Sequence, residues 1–214
     1  MSEVDPGDLW PDVQPEAARR LLVAAVDSFA RLGYHAATTR DIARTAGMSP
    51  AALYIHYPSK SALLFEISRT GHEATMALVE QAVAAGADPV SRVRALVAEF
   101  TAWHARTHTV ARIVQYELHA LPPEEFEVVA GLRRRIEDTV REVIADGVAQ
   151  GVFQVSDVRT AARALISLGV DVARWYNERS GTAPEELGLR YAELVLGMLR
   201  AGTGPCPAGD TDLS

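Results

Sequence analysis

The sequence predicts an all-α protein: an N-terminal unit of three small helices, then a larger helical bundle, about nine helices in all. Three observations carry this. Nearly every stretch after residue 14 repeats its apolar residues at helical spacing, and none alternates convincingly like a strand. The periodic runs are bracketed by capping residues or Pro at the start and by Gly or Pro at the end. Within TTRDIARTAGMSPAALYIHYPSK, residues 38 to 60, two runs are too short to bury a core of their own, so neighbours must hold them.

The first helix is expected from about Pro15 to Leu32, where Leu22, Ala25, Phe29 and Leu32 share a stripe and Gly33 supplies a left-handed stop. A second starts at Thr38 or Thr39, whose hydroxyls can cap it, and reaches Ala46 before Gly47 makes the turn. Ser49 caps the third, with Pro50 at the first helical position, where its missing N–H is not needed. That helix ends at His56-Tyr57, because Pro58 disfavours helical geometry before it. Ser59 opens a long fourth helix with a weak point at Gly71. Further helices are expected over Asp88–Thr107, Val110–His119, Glu124–Gln150, Ser156–Asn177 and Pro184–Arg200, separated by Leu121-Pro122-Pro123, Gly151 and Ser180-Gly181. The division is a flexible segment 1–14, a three-helix unit 15–60, a larger helical unit 61–202, and a tail 203–214 of disordered composition.

Composition narrows the function classes. At 48% hydrophobic and 23% charged residues the chain is ordinary for a globular protein. No apolar run approaches a membrane span, the acidic N-terminus is unlike a signal peptide, and the lone Cys206 excludes an internal disulfide, so a cytoplasmic protein is expected. The net charge of −7 is unevenly spread. Residues 19–60 hold Arg19, Arg20, Arg31, Arg40, Arg44 and Lys60 against Asp27 and Asp41, leaving that segment at +4 and the remainder at −11. Such asymmetry points to a polyanionic partner, although a solvated face gives the same count.

Two short helices joined by a Gly-containing turn match the helix-turn-helix pattern. Ala43 is small where the helices meet, and Ile42, Ala46, Met48 and Leu53 can pack between them and against Phe29. In such a unit the second helix enters the major groove. Thr39 and Ser49 can donate to phosphates, and Tyr54, His56, Tyr57 and Lys60 add hydroxyl, imidazole and ammonium donors.

Residues 20 to 67 closely resemble the DNA-binding domain of the TetR family of transcriptional regulators. The resemblance rests on Gly33-Tyr34, Thr38-Thr39, Ala46-Gly47, Leu53-Tyr54, His56-Tyr57 and Pro58-Ser59-Lys60. It implies DNA contacts from Thr39, Arg40, Ser49, Pro50, Ala51, Tyr54, His56 and Lys60. Pro50-Ala51 stands where the family often has Lys-Gly, which removes one cationic contact. The resemblance also implies a repressor with no cofactor, homodimeric through the last two long helices and bound to a palindromic operator. Ala164, Leu165, Leu168, Val172, Leu194, Val195 and Met198 are the candidates for that dimer face, with monomer core as their other reading.

The family resemblance further implies a small molecule among the middle helices whose binding moves the fourth helix and spreads the DNA-binding units. Phe100, Trp103, His104, His108, Arg112, Tyr116, Arg174, Trp175 and Tyr176 are the candidate pocket residues, a mixture of apolar walls and a few polar groups. A looser resemblance in residues 115–153 and 173–199 is to a branch concerned with fatty-acid and steroid breakdown, whose members respond to acyl-CoA thioesters. Arg112, Arg133, Arg134, Arg135 and Arg174 are the cations available to such a ligand. The principal alternative is a metal-responsive regulator or metalloprotein using His104 and His108, four apart on one face, with His119 or Glu117 nearby. An enzyme is not expected, because there is no nucleophile elbow and no Gly-rich phosphate loop. A protein-binding adaptor would leave the basic N-terminal unit unexplained.

Overall fold

In the computed structural model, residues 9–177, 179 and 181–200 are described. They form α1 (Glu16–Leu32), α2 (Thr39–Thr45), α3 (Pro50–His56), α4 (Lys60–Ala85), α5 (Pro89–Arg106), α6 (His108–Glu117), α7 (Pro123–Ala149), α8 (Val158–Trp175) and α9 (Pro184–Arg200), with a 3₁₀ turn over Leu118–Ala120. No strand occurs among the described residues. The tail expected over 203–214, with Cys206, and residues 1–8 lie outside them.

The capping chemistry sets the starts. Thr38 and Asp41 form a reciprocal capping box, with Asp41 N–H donating to Thr38 Oγ1 and Thr38 N–H donating to Asp41 Oδ2, each at 3.1 Å. Ser49, Ser59 and Asp88 each accept from backbone N–H groups of the turn they open. At α8 the cap is Asp157 rather than the expected Ser156, its carboxylate accepting from the N–H of Arg159 and the hydroxyl of Thr160. The expected weak point at Gly71 is corrected: α4 runs through it unbroken.

Two hydrophobic cores stack along the molecule. One joins α1, α2, α3 and the start of α4 through Leu21, Leu22, Ile42, Leu53 and Leu64, and it extends into α6 and α7 through Val110, Ile113, Val114 and Val129. The packing boundary of the N-terminal unit therefore lies beyond residue 60, because α6 serves as its floor. The other gathers α4, α5, α7, α8 and α9 around Val79, Leu96, Phe100, Ile144, Leu165 and Leu196. The α5–α9 crossing is close: a Cβ on Gly188 would stand 2.2 Å from the Ala98 carbonyl oxygen. Arg94–Glu193 and Arg106–Glu185 ion pairs bridge the same two helices.

Two expectations change here. Within the segment expected to be flexible, Trp10 is anchored: it is 2% exposed and its indole N–H donates to Thr70 Oγ1 of α4 at 2.8 Å, while Pro11, Asp12 and Gln14 are exposed. The proposed dimer face also divides. Leu165, Val172 and Val195 belong to the monomer core, whereas Leu168, Leu194 and Met198 face outward with Trp175 and Leu189.

Candidate functional site

The helix-turn-helix is built from the packing inward and the polar groups outward. Ile42, Ala43 and Leu53 are fully buried, and Met48 packs partly against the same core, as does Phe29. Gly47 turns the chain at φ +66°, a conformation that costs a side-chain-bearing residue roughly 1–2 kcal/mol. Arg20 of α1 reaches across to donate to the Ala46 carbonyl, closing the C-terminus of α2.

The outer surface carries Thr39, Arg40, Ser49, Pro50, Ala51 and Tyr54, and Thr39 Oγ1 and Tyr54 OH lie 3.0 Å apart, joining α2 to α3. Ile55, 80% exposed, stands beside them, and His56 is half-buried. Of the basic cluster, Arg19 pairs with Glu16, Arg31 with Asp27 and Arg44 with Asp41. Arg40 makes no hydrogen bond or ion pair among the described residues. Among the described residues, the charge asymmetry of the sequence thus narrows to one free, exposed guanidinium, next in the chain to Thr39.

Two expected contact residues face elsewhere. Lys60 Nζ donates to the carbonyls of Tyr34 (2.5 Å), His35 (3.2 Å) and Ala37 (2.8 Å), and sits 4.4 Å from the Tyr34 ring centroid. An ammonium has three donors, so all are engaged in holding the α1–α2 loop and none remains for a phosphate. Burial holds its pKa below the usual lysine value. Tyr57 packs against the inner core and its hydroxyl donates to the Ala18 carbonyl at 3.4 Å. Burial pushes its pKa up to about 12.

A cavity of about 160 Å³ lies between the two cores. Its walls are Gly71, His72 and Thr75 of α4, Phe100, Trp103 and His104 of α5, Thr107 between α5 and α6, Val110, Ala111, Val114 and Gln115 of α6, Arg133, Ile136 and Glu137 of α7, Ile166 and Val170 of α8, and Leu9, which precedes α1. Trp103 donates its indole N–H to Thr75 Oγ1 at 3.1 Å, fixing the ring. His72 and His104 each point Nδ1 at the carbonyl four residues earlier, Ser68 at 2.7 Å and Phe100 at 2.8 Å. Burial lowers the His104 pKa to about 4 and also lowers that of His72, so both rings are neutral at pH 7.

Gln115, Arg133, Ile166 and Val170 also line a larger groove of about 740 Å³ over α6, α7, α8 and α9. Arg112, Tyr116 and Arg174 belong to this groove and not to the cavity. Arg174 pairs with Asp171 at 2.7 Å, while Arg112 and Arg133 form no ion pair among the described residues. Three expected pocket residues are corrected. His108, Trp175 and Tyr176 form a separate cluster in which the Tyr176 hydroxyl donates to Thr182 O and His108 Nδ1 faces Ala105 O. His72 and Thr75 were missed in the sequence, where polar residues on the buried stripe of α4 were their signal. Among the described residues no third His, Cys, Asp or Glu joins His104 and His108 to make a metal site, and no helix is long and apolar enough to cross a membrane.

Comparison with known proteins gives this geometry a family. The model for bacterial regulatory proteins of the tetR family matches residues 21–67, and the tetracyclin repressor-like C-terminal domain matches residues 86–199. The chain is 30% identical to the HTH-type transcriptional repressor KstR2 of Rhodococcus jostii (strain RHA1), over 86% of this chain and 93% of that one. A bacterial regulatory protein of the tetR family from Rhodococcus RHA1 superposes with a TM-score of 0.83 at 37% identity, covering 89% of this chain and all of that one. The same fold recurs in AibR, solved in complex with isovaleryl coenzyme A and operator DNA, with a TM-score of 0.76 at 23% identity over 88% of this chain and all of that one. The chain therefore belongs to the TetR family, as a ligand-responsive DNA-binding regulator of transcription and not an enzyme.

Proposed function

We propose that the protein is a homodimeric repressor that leaves a palindromic operator when a short acyl-CoA thioester enters its cavity. One observation carries the ligand class: a largely apolar cavity, with Arg133 and Glu137 in its wall, shares Arg133 with a groove that also holds Arg112. A cavity of about 150 Å³ admits a benzene-sized group, so about six carbons of acyl chain suit the enclosed part. The anionic phosphates of coenzyme A suit the guanidinium groups of Arg133, at the boundary of cavity and groove, and Arg112 in the groove. AibR, of the same fold, is solved with isovaleryl coenzyme A, which supports the class.

The route to DNA runs through α4 and α6. Both line the cavity, and both pack against α1, which carries Arg20 to the end of α2. A ligand that separates α4 from α6 shifts the floor of the DNA-binding unit. It releases DNA only if it binds that shifted arrangement better than the DNA-competent one. DNA contact is assigned to Thr39, Arg40, Ser49, Pro50, Ala51, Tyr54 and His56.

Calorimetric titration with hexanoyl-CoA tests the ligand class. Saturable binding weakened on the order of tenfold or more by Arg112→Ala or Arg133→Ala is expected, with free hexanoate binding far more weakly. Binding indifferent to both arginines would remove coenzyme A from the proposal.

A further inference from the structure

His72 and His104 impose a condition on the cavity that goes beyond an apolar wall. Each Nδ1 lies within hydrogen-bond distance of a helix carbonyl, Ser68 O at 2.7 Å and Phe100 O at 2.8 Å. A carbonyl can only accept, so each Nδ1 carries the proton and each Nε2 presents a lone pair. No group among the described residues donates to either Nε2. Both rings line the same cavity from adjacent helices, and His104 is 8% exposed. Neither Nε2 is sealed from solvent, so each lone pair is open to the cavity; a saturated chain that displaced water from it would leave it unpaired, whereas a bound hydroxyl would not.

The hydroxyls of the α4–α5 side of the cavity are already engaged, while Gln115 and Arg133 line it from α6 and α7. Thr75 receives the Trp103 indole N–H and donates to Gly71 O, and Thr107 donates to Trp103 O. On the α4–α5 side, two imidazole nitrogens face the space where an acyl chain would lie. They accept from a hydroxyl and have nothing to offer a saturated chain or a ketone.

We infer that the effector is an acyl thioester whose chain carries a hydroxyl group, recognised as a hydrogen-bond donor by Nε2 of His104 and His72. This rests on the acyl-CoA reading above. The pantetheine amides of coenzyme A are a second source of N–H donors. Their place nearer the phosphates, and so nearer the groove of Arg112 and Arg133, assigns the deeper His104 to the acyl chain.

The test is a calorimetric comparison of 3-hydroxyhexanoyl-CoA with hexanoyl-CoA on the full-length protein, His104→Phe and His72→Leu. The expected result is a preference for the hydroxylated ligand on the order of tenfold, the worth of one net hydrogen bond, lost in the His104 variant and reduced in the His72 variant. The ratio of two affinities on one protein sample is insensitive to a partly unfolded fraction. In the unsubstituted protein, the imidazole Nε2 resonance of His104 should shift with the hydroxylated ligand and stay with the saturated one. Equal affinities would overturn the hydroxyl assignment while keeping the thioester. Equal loss of both ligands in His104→Phe would assign the contact to a pantetheine amide and overturn it too. Binding of neither thioester would sink the acyl-CoA reading and this inference with it.

Discussion

Lys60 and Arg40 are both basic residues of the N-terminal unit, and only their surroundings separate them. Lys60 ties three loop carbonyls, whereas Arg40 is exposed and free among the described residues. Arg40→Ala is therefore expected to lower the slope of log affinity against log salt by about one, the signature of a lost phosphate contact. Lys60→Met should leave that slope unchanged and instead destabilise the fold by about 1–3 kcal/mol, read by chemical denaturation. A salt slope reduced by Lys60→Met would return this side chain to the DNA surface. The sequence placed both residues in the right motif, but a lysine four carbons long can reach either a phosphate or a carbonyl, and nothing in the sequence chooses. His104 adds a pH dependence. Its folded pKa of about 4 lies below the ordinary histidine value, so the unfolded chain binds the proton more readily. Stability is full above about pH 6.5 and falls as pH drops toward 4, by at most about 3 kcal/mol from this group. His104→Phe should flatten denaturation midpoints measured between pH 7.5 and 5.

At the scale of elements, caps and turns were the legible part. Thr38, Ser49, Pro50 and Gly47 fix α2 and α3 by local chemistry alone, and the structure keeps their boundaries within a residue. Ser156 and Asp157 are both competent caps, so sequence could not choose between them; the carboxylate wins by meeting both Arg159 N–H and the Thr160 hydroxyl. Gly47→Ala tests the turn. Its left-handed backbone, and the Arg20 guanidinium 3.2 Å from the added Cβ, predict a loss of about 1–2 kcal/mol, with operator affinity falling as the α2–α3 angle relaxes. An unchanged thermal midpoint and affinity would show that the turn tolerates a side chain. The pocket was less legible than the caps. Phe100, Trp103 and His104 line the cavity together because they share one face of α5. His108 lies just beyond the end of α5, where the chain turns at Thr107, so it leaves that face for Tyr176.

The whole molecule shows where helical periodicity loses its power. On α8, Leu165, Gly169 and Val172 form the inward row, and Ala164, Leu168 and Trp175 the outward one. Both rows are apolar, so periodicity identifies two faces without saying which meets the monomer. Gly169 marks the inward face, since a Cβ there would stand 2.5 Å from the Phe100 ring. The outward row, with Leu194 and Met198 of α9, is the surface we assign to the dimer. Leu194→Glu combined with Met198→Glu should give a folded monomer by light scattering and a large loss of operator affinity, because one unit reads only one half-site. A dimer that survives the double substitution would place the interface elsewhere. Of the −11 carried outside residues 19–60, −5 lies in residues 1–18, −4 in residues 61–200 and −2 in residues 201–214.

The central claim is that occupancy of the cavity between α4 and α6 controls the DNA-binding unit. The most direct test is fluorescence anisotropy of a labelled operator duplex, taken from the promoter beside the gene, titrated with salt and then with 3-hydroxyhexanoyl-CoA. The account predicts salt-sensitive, sequence-selective binding that is released by the thioester, with release lost in a variant that fills the cavity, Val114→Trp. Selective binding unaffected by the thioester at concentrations that saturate the protein would contradict the coupling.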